Sequence, residues 1–199
     1  AAASAATGIG LTLLPVFYAH SGFGGAAPSE GQRRFLHSLD EFTRQMDACR
    51  ALTADLPGAR LGLAPHSLRA ATAEEIRAIL PLAEGGPIHI HVAEQVKEVE
   101  DCLAATDRRP VQWLLEEMPV DSRWCLIHAT HMTNEETAGM AAAGAVAGLC
   151  PITEANLGDG IFPAEHFGGA IGVGSDSNVL IDATEELRLL EYGQRLARR

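Results

Sequence analysis

Three short runs of the sequence place a histidine or a carboxylate directly after an apolar, strand-like segment. His89, His91 and Glu94 share the first run, His128 ends the second and Asp176 lies in the third. A histidine three residues before a carboxylate, where a strand passes into a loop, is typical of a metal ligand beside a general acid or base. The first run alone is also compatible with two ordinary histidines, His89 and His91, on one face of a strand. Three such runs in one chain favour a site.

The individual residues have different alternatives. An aspartate such as Asp176 suits a hard or borderline cation, and its second oxygen can accept a proton from water. The alternative for Asp176 is a helix-capping or loop residue, and the alternative for His128 is a core histidine at a strand end. His89 and His131 are interpreted as core or loop residues rather than as ligands.

Bulk composition excludes several classes of protein. The 199 residues are 47% hydrophobic with a mean hydropathy of +0.05, which is enough for a substantial core. A net charge of −11 argues against nucleic acid or an anionic membrane as a partner. No apolar run reaches transmembrane length. The four cysteines are scattered, which is typical of reduced thiols, and we expect a cytoplasmic protein.

Strand-like and helical patterns alternate along the chain, as in a βα repeat with parallel strands. The predicted strands are residues 10–19, 60–64, 87–92, 124–128, 145–150 and 170–174. A doubly wound open sheet would collect polar loops only at its switch point, whereas a barrel collects all of them at one mouth. Because polar clusters follow strands throughout, we predict an α/β fold, a (β/α)8 barrel with about six of its eight βα units present.

Local signals predict where several helices begin. Apolar residues from Phe35 to Cys49 recur at helical spacing and predict one long helix. Thr72 with Glu75, and Thr133 with Glu136, form predicted capping boxes. Pro110 is expected at a first helical position, and Asp182 is expected to cap the last helix.

The sequence resembles the amidohydrolase superfamily and, within it, the N-formimino-L-glutamate deiminases of histidine degradation. The His-x-x-Glu run from His91, the histidine at 128 and the pair Ser175-Asp176 occur in many deaminases of the superfamily and do not specify a substrate. The loop around Tyr18 and the segment 154–162 indicate the formiminoglutamate branch. The resemblance covers nearly the whole chain and is carried by residues 17–25, 91–95, 126–131, 150–162 and 174–177.

The resemblance implies a TIM-like barrel of the metal-dependent hydrolase type, with roles for four residues. His91 and Asp176 would bind one divalent metal, for which zinc is favoured, while iron and manganese also accept such ligands. Glu94 would shuttle a proton. His128 would polarise or orient the attacking water, and Asp176 would assist its deprotonation.

One departure from the superfamily pattern concerns the first barrel strand, which carries a His-x-His pair of metal ligands. Nothing upstream of Tyr18 matches it, and the Glu94 that follows His89 and His91 places that pair on the fifth strand. The resemblance therefore implies that residues 1–199 form a single partial barrel domain corresponding to strands three to eight. We expect this piece to be inactive or nearly so, and its open edges near Val16 and Val173 to favour self-association.

Three residues after earlier strands are predicted to bind substrate. A guanidinium suits bidentate binding of a carboxylate, so Arg69 is a candidate clamp, although a solvated loop arginine is an equal interpretation. Tyr18 and His66 are candidate hydrogen-bonding partners, and a core aromatic is the alternative for Tyr18. Three further polar residues are candidates for lining the mouth of the site: Glu154, Asn156 and Asp159. A role in forming a turn explains them almost as well.

The function implied by the resemblance is hydrolysis of N-formimino-L-glutamate to N-formyl-L-glutamate and ammonia, a small-molecule reaction. The residue types alone support only metal-assisted hydrolytic deamination. The alternatives are another amidohydrolase deaminase, acting on a purine, pyrimidine or adenosyl compound, and an inactive folded piece. A homodimer is the default oligomeric state.

Overall fold

The structure, a computed structural model, describes residues 1–198. They divide into two compact units, Ala1–Ile90 and a second that begins at His91. Within residues 1–198, no helix combines the length and the apolar character needed to cross a membrane.

The first unit contains two pairs of short parallel strands and three α-helices. Strand β1 (Leu11–Leu13) pairs with β3 (Ala59–Leu61), and β2 (Val16–Phe17) pairs with β4 (Ala64–Pro65). Beside them, Leu63 forms a parallel bridge to Ile88. The helices are α1 (Ala2–Thr7), α2 (Leu39–Thr53) and α3 (Ala73–Ile79).

The first two predicted strands are each interrupted. Pro15 lies between β1 and β2 and has no N–H to donate to a ladder. Hydrogen bonds continue on both sides of the break, because Gly62 N donates to Leu13 O at 2.9 Å and Ala64 N donates to Pro15 O at 2.9 Å. The interruption therefore removes a backbone hydrogen-bond donor, but the strands stay paired on both sides of it.

The predicted long helix begins later than expected. Glu30–Phe35 is a separate 3-10 helix, so Phe35 does not belong to α2. Ser38 separates the 3-10 helix from α2 because it caps the start of α2. Its side chain accepts a hydrogen bond from Glu41 N at 3.2 Å, and its own backbone N donates to the Glu41 carboxylate at 2.8 Å. The apolar spacing predicts α2 correctly from Leu39 onward, but it does not predict the cap at Ser38.

The second unit holds a parallel sheet and five α-helices. The end of β5 (Ile88–Val92) lies beside β6 (Trp124–His128), followed by β7 (Val146–Leu149) and β8 (Ile171–Val173). Cys125 faces Val146 in the register, and Ala147 faces Ile171. The helices are α4 (Val96–Thr106), α5 (Pro110–Glu117), α6 (Asn134–Ala142), α7 (Pro151–Leu157) and α8 (Ala183–Ala197).

Most of the predicted helix starts are confirmed. Thr72 and Thr133 each form a complete capping box, Asp182 accepts from the first turn of α8, and Pro110 is the first residue of α5. These signals involve residues only three or four apart, so they act before any tertiary contact forms.

Strand periodicity sets which side chains reach the core. Ile88, Ile90 and Val92 are buried, whereas His89 and His91 between them are half-buried on the opposite face. This alternation gives β5 one purely apolar face and one face that carries imidazoles.

Candidate active site

His128, the last residue of β6, is at the centre of the predicted site. Its side chain is 1% exposed, and its ring lies 5.6 Å from the ring of His91. Its Nε2 is 3.6 Å from Glu94 Oε1, and its Nδ1 is 3.2 Å from Glu154 Oε1. The structure therefore brings together three predicted residues from two strand ends, His91 and Glu94 at β5 and His128 at β6, and adds a fourth, Glu154.

The charges around His128 favour its protonated form. Burial lowers the pKa of His128, but the hydrogen bond to Glu154 and the negative charges of Glu94, Glu154 and Asp176 outweigh it, so the pKa is raised overall. The carboxylates of Glu94 and Glu154 thus lie beside one buried imidazole, whereas Asp176 is exposed in the loop after β8.

Unusual backbone geometry marks the same strand ends. Ala93, His128, Ala129 and Asp176 have φ values of 51°, 67°, 47° and 43°, in the left-handed region that non-glycine residues rarely adopt. Such residues cost on the order of 1–3 kcal/mol each and persist where the surrounding structure holds them. These positive φ values occur where β5 and β6 end and in the loop after β8.

The turn that carries Glu94 is held by hydrogen bonds from two directions. The buried carboxylate of Glu98 accepts from Ala93 N and Glu94 N, both at 3.1 Å. Gln95 donates to Asp159 Oδ1 at 3.1 Å. Glu98 was missed by sequence reasoning, although a glutamate in the first turn of a helix is a recognisable capping signal.

Glu154 has a larger part in the site than the sequence indicated. Turn chemistry was the alternative given for Glu154, Asn156 and Asp159, but Pro151–Leu157 is helix α7, ended by Gly158 in the left-handed conformation. Pro151 at the first helical position was the overlooked signal. On α7 the Glu154 side chain is 5% exposed and turns back to the end of β7, where it accepts from Cys150 N at 2.8 Å.

A cluster of possible metal-binding atoms lies in the same place. One atom each from His128, Cys150 and Glu154 fall within 4.8 Å of one another. Burial and the charges of nearby carboxylates raise the pKa of Cys150 to about 12, so its sulfur is a neutral thiol, a poor ligand. Glu154 Oε1 is also already engaged. We therefore do not assign a metal to this cluster.

The predicted ligands His91 and Asp176 supply an imidazole nitrogen and a carboxylate oxygen, the donors that zinc accepts. A cation's charge would also compensate the carboxylates that act on His128. A role of His91 and Asp176 as metal ligands stays a prediction.

The candidate substrate-binding residues lie in the first unit. Tyr18 and His66 pack edge to face with their ring centroids 4.8 Å apart, and Tyr18 OH accepts from Gln32 Nε2 at 2.7 Å. His66 Nδ1 lies 3.1 Å from Ser67 Oγ. Arg69 is half-buried in the same post-strand segment. The structure brings Tyr18 and His66 together, and a role of these three residues in binding substrate stays a prediction.

Other polar residues flagged by the sequence have structural partners. His131 Nε2 lies 2.7 Å from the carbonyl oxygen of Asp159, and Asp159 is 7% exposed. Asn156 is exposed near the end of α7. His131 thus contacts the loop after α7.

A comparison with protein families decides the affiliation of the chain. The sequence model of the amidohydrolase family matches residues 2–198. This chain belongs to the amidohydrolase family. It is 56% identical to the formimidoylglutamate deiminase of Pseudomonas aeruginosa over 98% of its own length and 44% of that protein. It is 31% identical to a 5-methylthioadenosine/S-adenosylhomocysteine deaminase of Natronomonas pharaonis over 69% of its length and 35% of that protein.

Solved structures of amidohydrolases show the same fold. An amidohydrolase from Brucella melitensis matches all of this chain with a TM-score of 0.97 and 61% identity, over 45% of that structure. An adenosine deaminase from Xanthomonas campestris with bound zinc matches 99% of this chain with a TM-score of 0.81 at 24% identity, over 44% of that structure. The chain therefore spans less than half the length of these relatives. The predicted α/β fold of the amidohydrolase barrel enzymes is confirmed.

Proposed function

We propose that the complete protein is a metal-dependent deiminase that hydrolyses N-formimino-L-glutamate to N-formyl-L-glutamate and ammonia. The observation that carries the hydrolytic chemistry is the buried group in which His128 lies beside His91 and between Glu94 and Glu154. The observation that supports the substrate is 56% identity to a formimidoylglutamate deiminase over 98% of the chain.

In this proposal His91 and Asp176 hold one divalent cation, most simply zinc, with iron or manganese as alternatives. When bound, such a cation lowers the pKa of water to about 7 and so supplies a nucleophile at neutral pH. The zinc of the Xanthomonas campestris deaminase structure supports the choice of metal. The donor types and the carboxylate-rich surroundings support the choice of residues.

The remaining residues move protons and orient the substrate. Asp176 and His128 take the proton of the attacking water, whose oxygen bonds to the formimino carbon. Glu94 passes that proton to the imino nitrogen, which gives a tetrahedral intermediate with a hydroxyl and an amino group on the former formimino carbon. Glu94 then transfers the hydroxyl proton to the amino nitrogen, the carbon–nitrogen bond breaks, ammonia leaves and the formyl carbonyl forms. His128 Nε2 lies 3.6 Å from Glu94 Oε1, so a proton can pass between the two groups with little movement.

Substrate specificity is assigned to the first unit. Arg69 binds a carboxylate of the glutamate moiety through two parallel hydrogen bonds, and Tyr18 and His66 donate further ones. The edge-to-face packing of Tyr18 on His66 fixes both polar tips relative to each other. We propose that residues 1–199 form a single partial barrel domain.

A second candidate is a deaminase of an adenosyl compound. It is supported by the 31% identity to the 5-methylthioadenosine/S-adenosylhomocysteine deaminase of Natronomonas pharaonis. Such a substrate lacks the paired carboxylates of N-formimino-L-glutamate, so it gives Arg69 no carboxylate to bind.

The test is ammonia release by the complete protein supplied with zinc. We expect turnover of N-formimino-L-glutamate that is lost in His91→Asn and Glu94→Gln, with zinc content also reduced in His91→Asn. His166→Gln is the matched control, because His166 is half-exposed on a separate 3-10 helix. Zinc at one equivalent without turnover would redirect the proposal to adenosyl substrates, and absence of bound metal would contradict the site itself. Turnover by the 199-residue piece alone would contradict its expected inactivity.

We also propose a cytoplasmic protein that acts on a small molecule as a homodimer, without nucleic-acid or membrane partners. Its four cysteines are free thiols, which supports a reducing compartment. Sedimentation of the complete protein at several concentrations tests the dimer.

A further inference from the structure

The two ring nitrogens of His128 have different neighbours. Nδ1 lies 3.2 Å from Glu154 Oε1, whereas Nε2 lies 3.6 Å from Glu94 Oε1. Because the side chain is 1% exposed, bulk water does not compete for either nitrogen. The proton of a neutral His128 must therefore be assigned from these two contacts.

The hydrogen bonds of Glu154 decide the assignment. Its Oε1 already accepts the backbone N–H of Cys150 at 2.8 Å. An ionised carboxylate only accepts hydrogen bonds, so the short contact requires Nδ1 to be the donor. Glu154 is 5% exposed and cannot turn to solvent, and its bond to Cys150, the residue before α7, fixes where Oε1 lies.

We propose that Glu154 is a positioning residue that holds His128 in the tautomer protonated at Nδ1. The lone pair of Nε2 then faces Glu94, ready to accept a proton. A base whose orientation is set by a third group is a recurrent arrangement in hydrolytic sites. The inference rests on the proposed function only for the use of Nε2 in hydrolysis, since the tautomer is a property of the chain itself.

A purely structural role for Glu154 makes a different prediction, and the chain offers a matched control. Glu186 on α8 is also a buried carboxylate, 2% exposed, and it accepts from Ile152 N in the first turn of α7 at 2.9 Å. If Glu154 served only to support α7, removing either carboxylate would affect His128 alike. If Glu154 orients the imidazole directly, only the change at 154 alters the tautomer.

The experiment is nitrogen NMR of the complete protein with 15N-labelled histidine, recorded at alkaline pH where the imidazole is neutral. The His128 signals are identified by their loss in His128→Gln. We expect a protonated Nδ1 and an unprotonated Nε2 in the unchanged chain and in Glu154→Gln, whose amide oxygen can still accept. Glu154→Met removes the acceptor, and we expect the Nε2-protonated form to become populated. Glu186→Met should leave the pattern unchanged.

The unchanged chain alone can overturn the proposal, because a proton on Nε2 instead of Nδ1 contradicts it even if Glu154→Met does not fold. An identical response to Glu154→Met and Glu186→Met would also contradict it. In the complete protein, we expect Glu154→Met to lower kcat by about 10–100-fold while Glu154→Gln retains most of it. The expected tautomer without any turnover would contradict only the proposed function, and turnover with the opposite tautomer would contradict only this inference.

Discussion

Glu98 binds the backbone of Glu94 through its side chain, receiving the Glu94 N–H on Oε2 at 3.1 Å and that of Ala93 on Oε1 at the same distance. The carboxylate is 3% exposed. Ala93 has a φ of 51°, so these bonds hold a residue in an unfavourable conformation directly before the proposed proton shuttle. A residue outside the predicted site thus determines where Glu94 points.

Removal of Glu98 is expected to destabilise the second unit. Glu98→Ala leaves two buried N–H groups without their charged acceptor, so we expect the free energy of unfolding to fall by about 3 kcal/mol. Urea titration followed by the fluorescence of the buried Trp124 measures the change. Asp101→Ala removes a carboxylate from an exposed ion pair on the same helix and should change stability by less than about 0.5 kcal/mol. Equal effects of the two variants would contradict this role.

The four cysteines are expected to differ in reactivity. Burial raises the pKa of Cys125 to about 11, and that of Cys150 is about 12, whereas Cys49 is half-buried on α2 with a smaller rise. Because the thiolate is the nucleophile, iodoacetamide at about pH 8 should modify Cys49 first, and about tenfold faster for each unit of higher pH.

Mass spectrometry of the timed reaction identifies the modified cysteine. Cys49→Ser should abolish the fast phase, and Cys125 and Cys150 should react only after denaturant is added. Modification of Cys150 in the folded chain at the rate of Cys49 would be inconsistent with its burial.

Gly62 is expected to tolerate no larger residue. A Cβ at this position would lie 2.1 Å from Pro87 O and 2.9 Å from Leu14 Cδ2, and the first of these atoms belongs to the backbone and cannot rotate away. We expect Gly62→Ala to lower the free energy of unfolding by about 3 kcal/mol.

Gly31→Ala is the control for Gly62→Ala, because a Cβ at Gly31 would meet no atom within 4 Å. Its stability should stay within about 0.5 kcal/mol of that of the unchanged chain. Thermal unfolding followed by circular dichroism compares the two. A Gly62→Ala chain as stable as the Gly31→Ala chain would show that these backbones can move apart.

Arg69 is expected to determine substrate choice. In the complete protein, Arg69→Ala should raise KM for N-formimino-L-glutamate by about 10–100-fold, since a charge-assisted hydrogen bond contributes about 1.5–3 kcal/mol. Arg60→Ala removes an exposed arginine of β3 and should leave KM unchanged. Ammonia release measured over a range of substrate concentrations gives both constants. Unchanged KM in Arg69→Ala would favour an adenosyl substrate.

The sequence by itself determined the features that depend on neighbours a few residues apart. The Thr72 and Thr133 capping boxes, Pro110 at the start of α5 and the strand Trp124–His128 were all predicted with correct positions. Alternation in β5 also identified which histidines leave the apolar face. The motif around His91 and Glu94 indicated the family because its residues lie close together in the chain.

Only the tertiary structure decided how residues from different strand ends meet. Glu154 lies 26 positions beyond His128, so nothing in local spacing predicts that its carboxylate reaches that imidazole. The contact of His131 Nε2 with the carbonyl oxygen of Asp159, 28 positions away in the sequence, likewise depends on a distant partner. The physical reason is the same in each case: helix caps and strand alternation are set by local geometry, whereas buried carboxylates and strained backbones are stabilised by groups that only folding brings near.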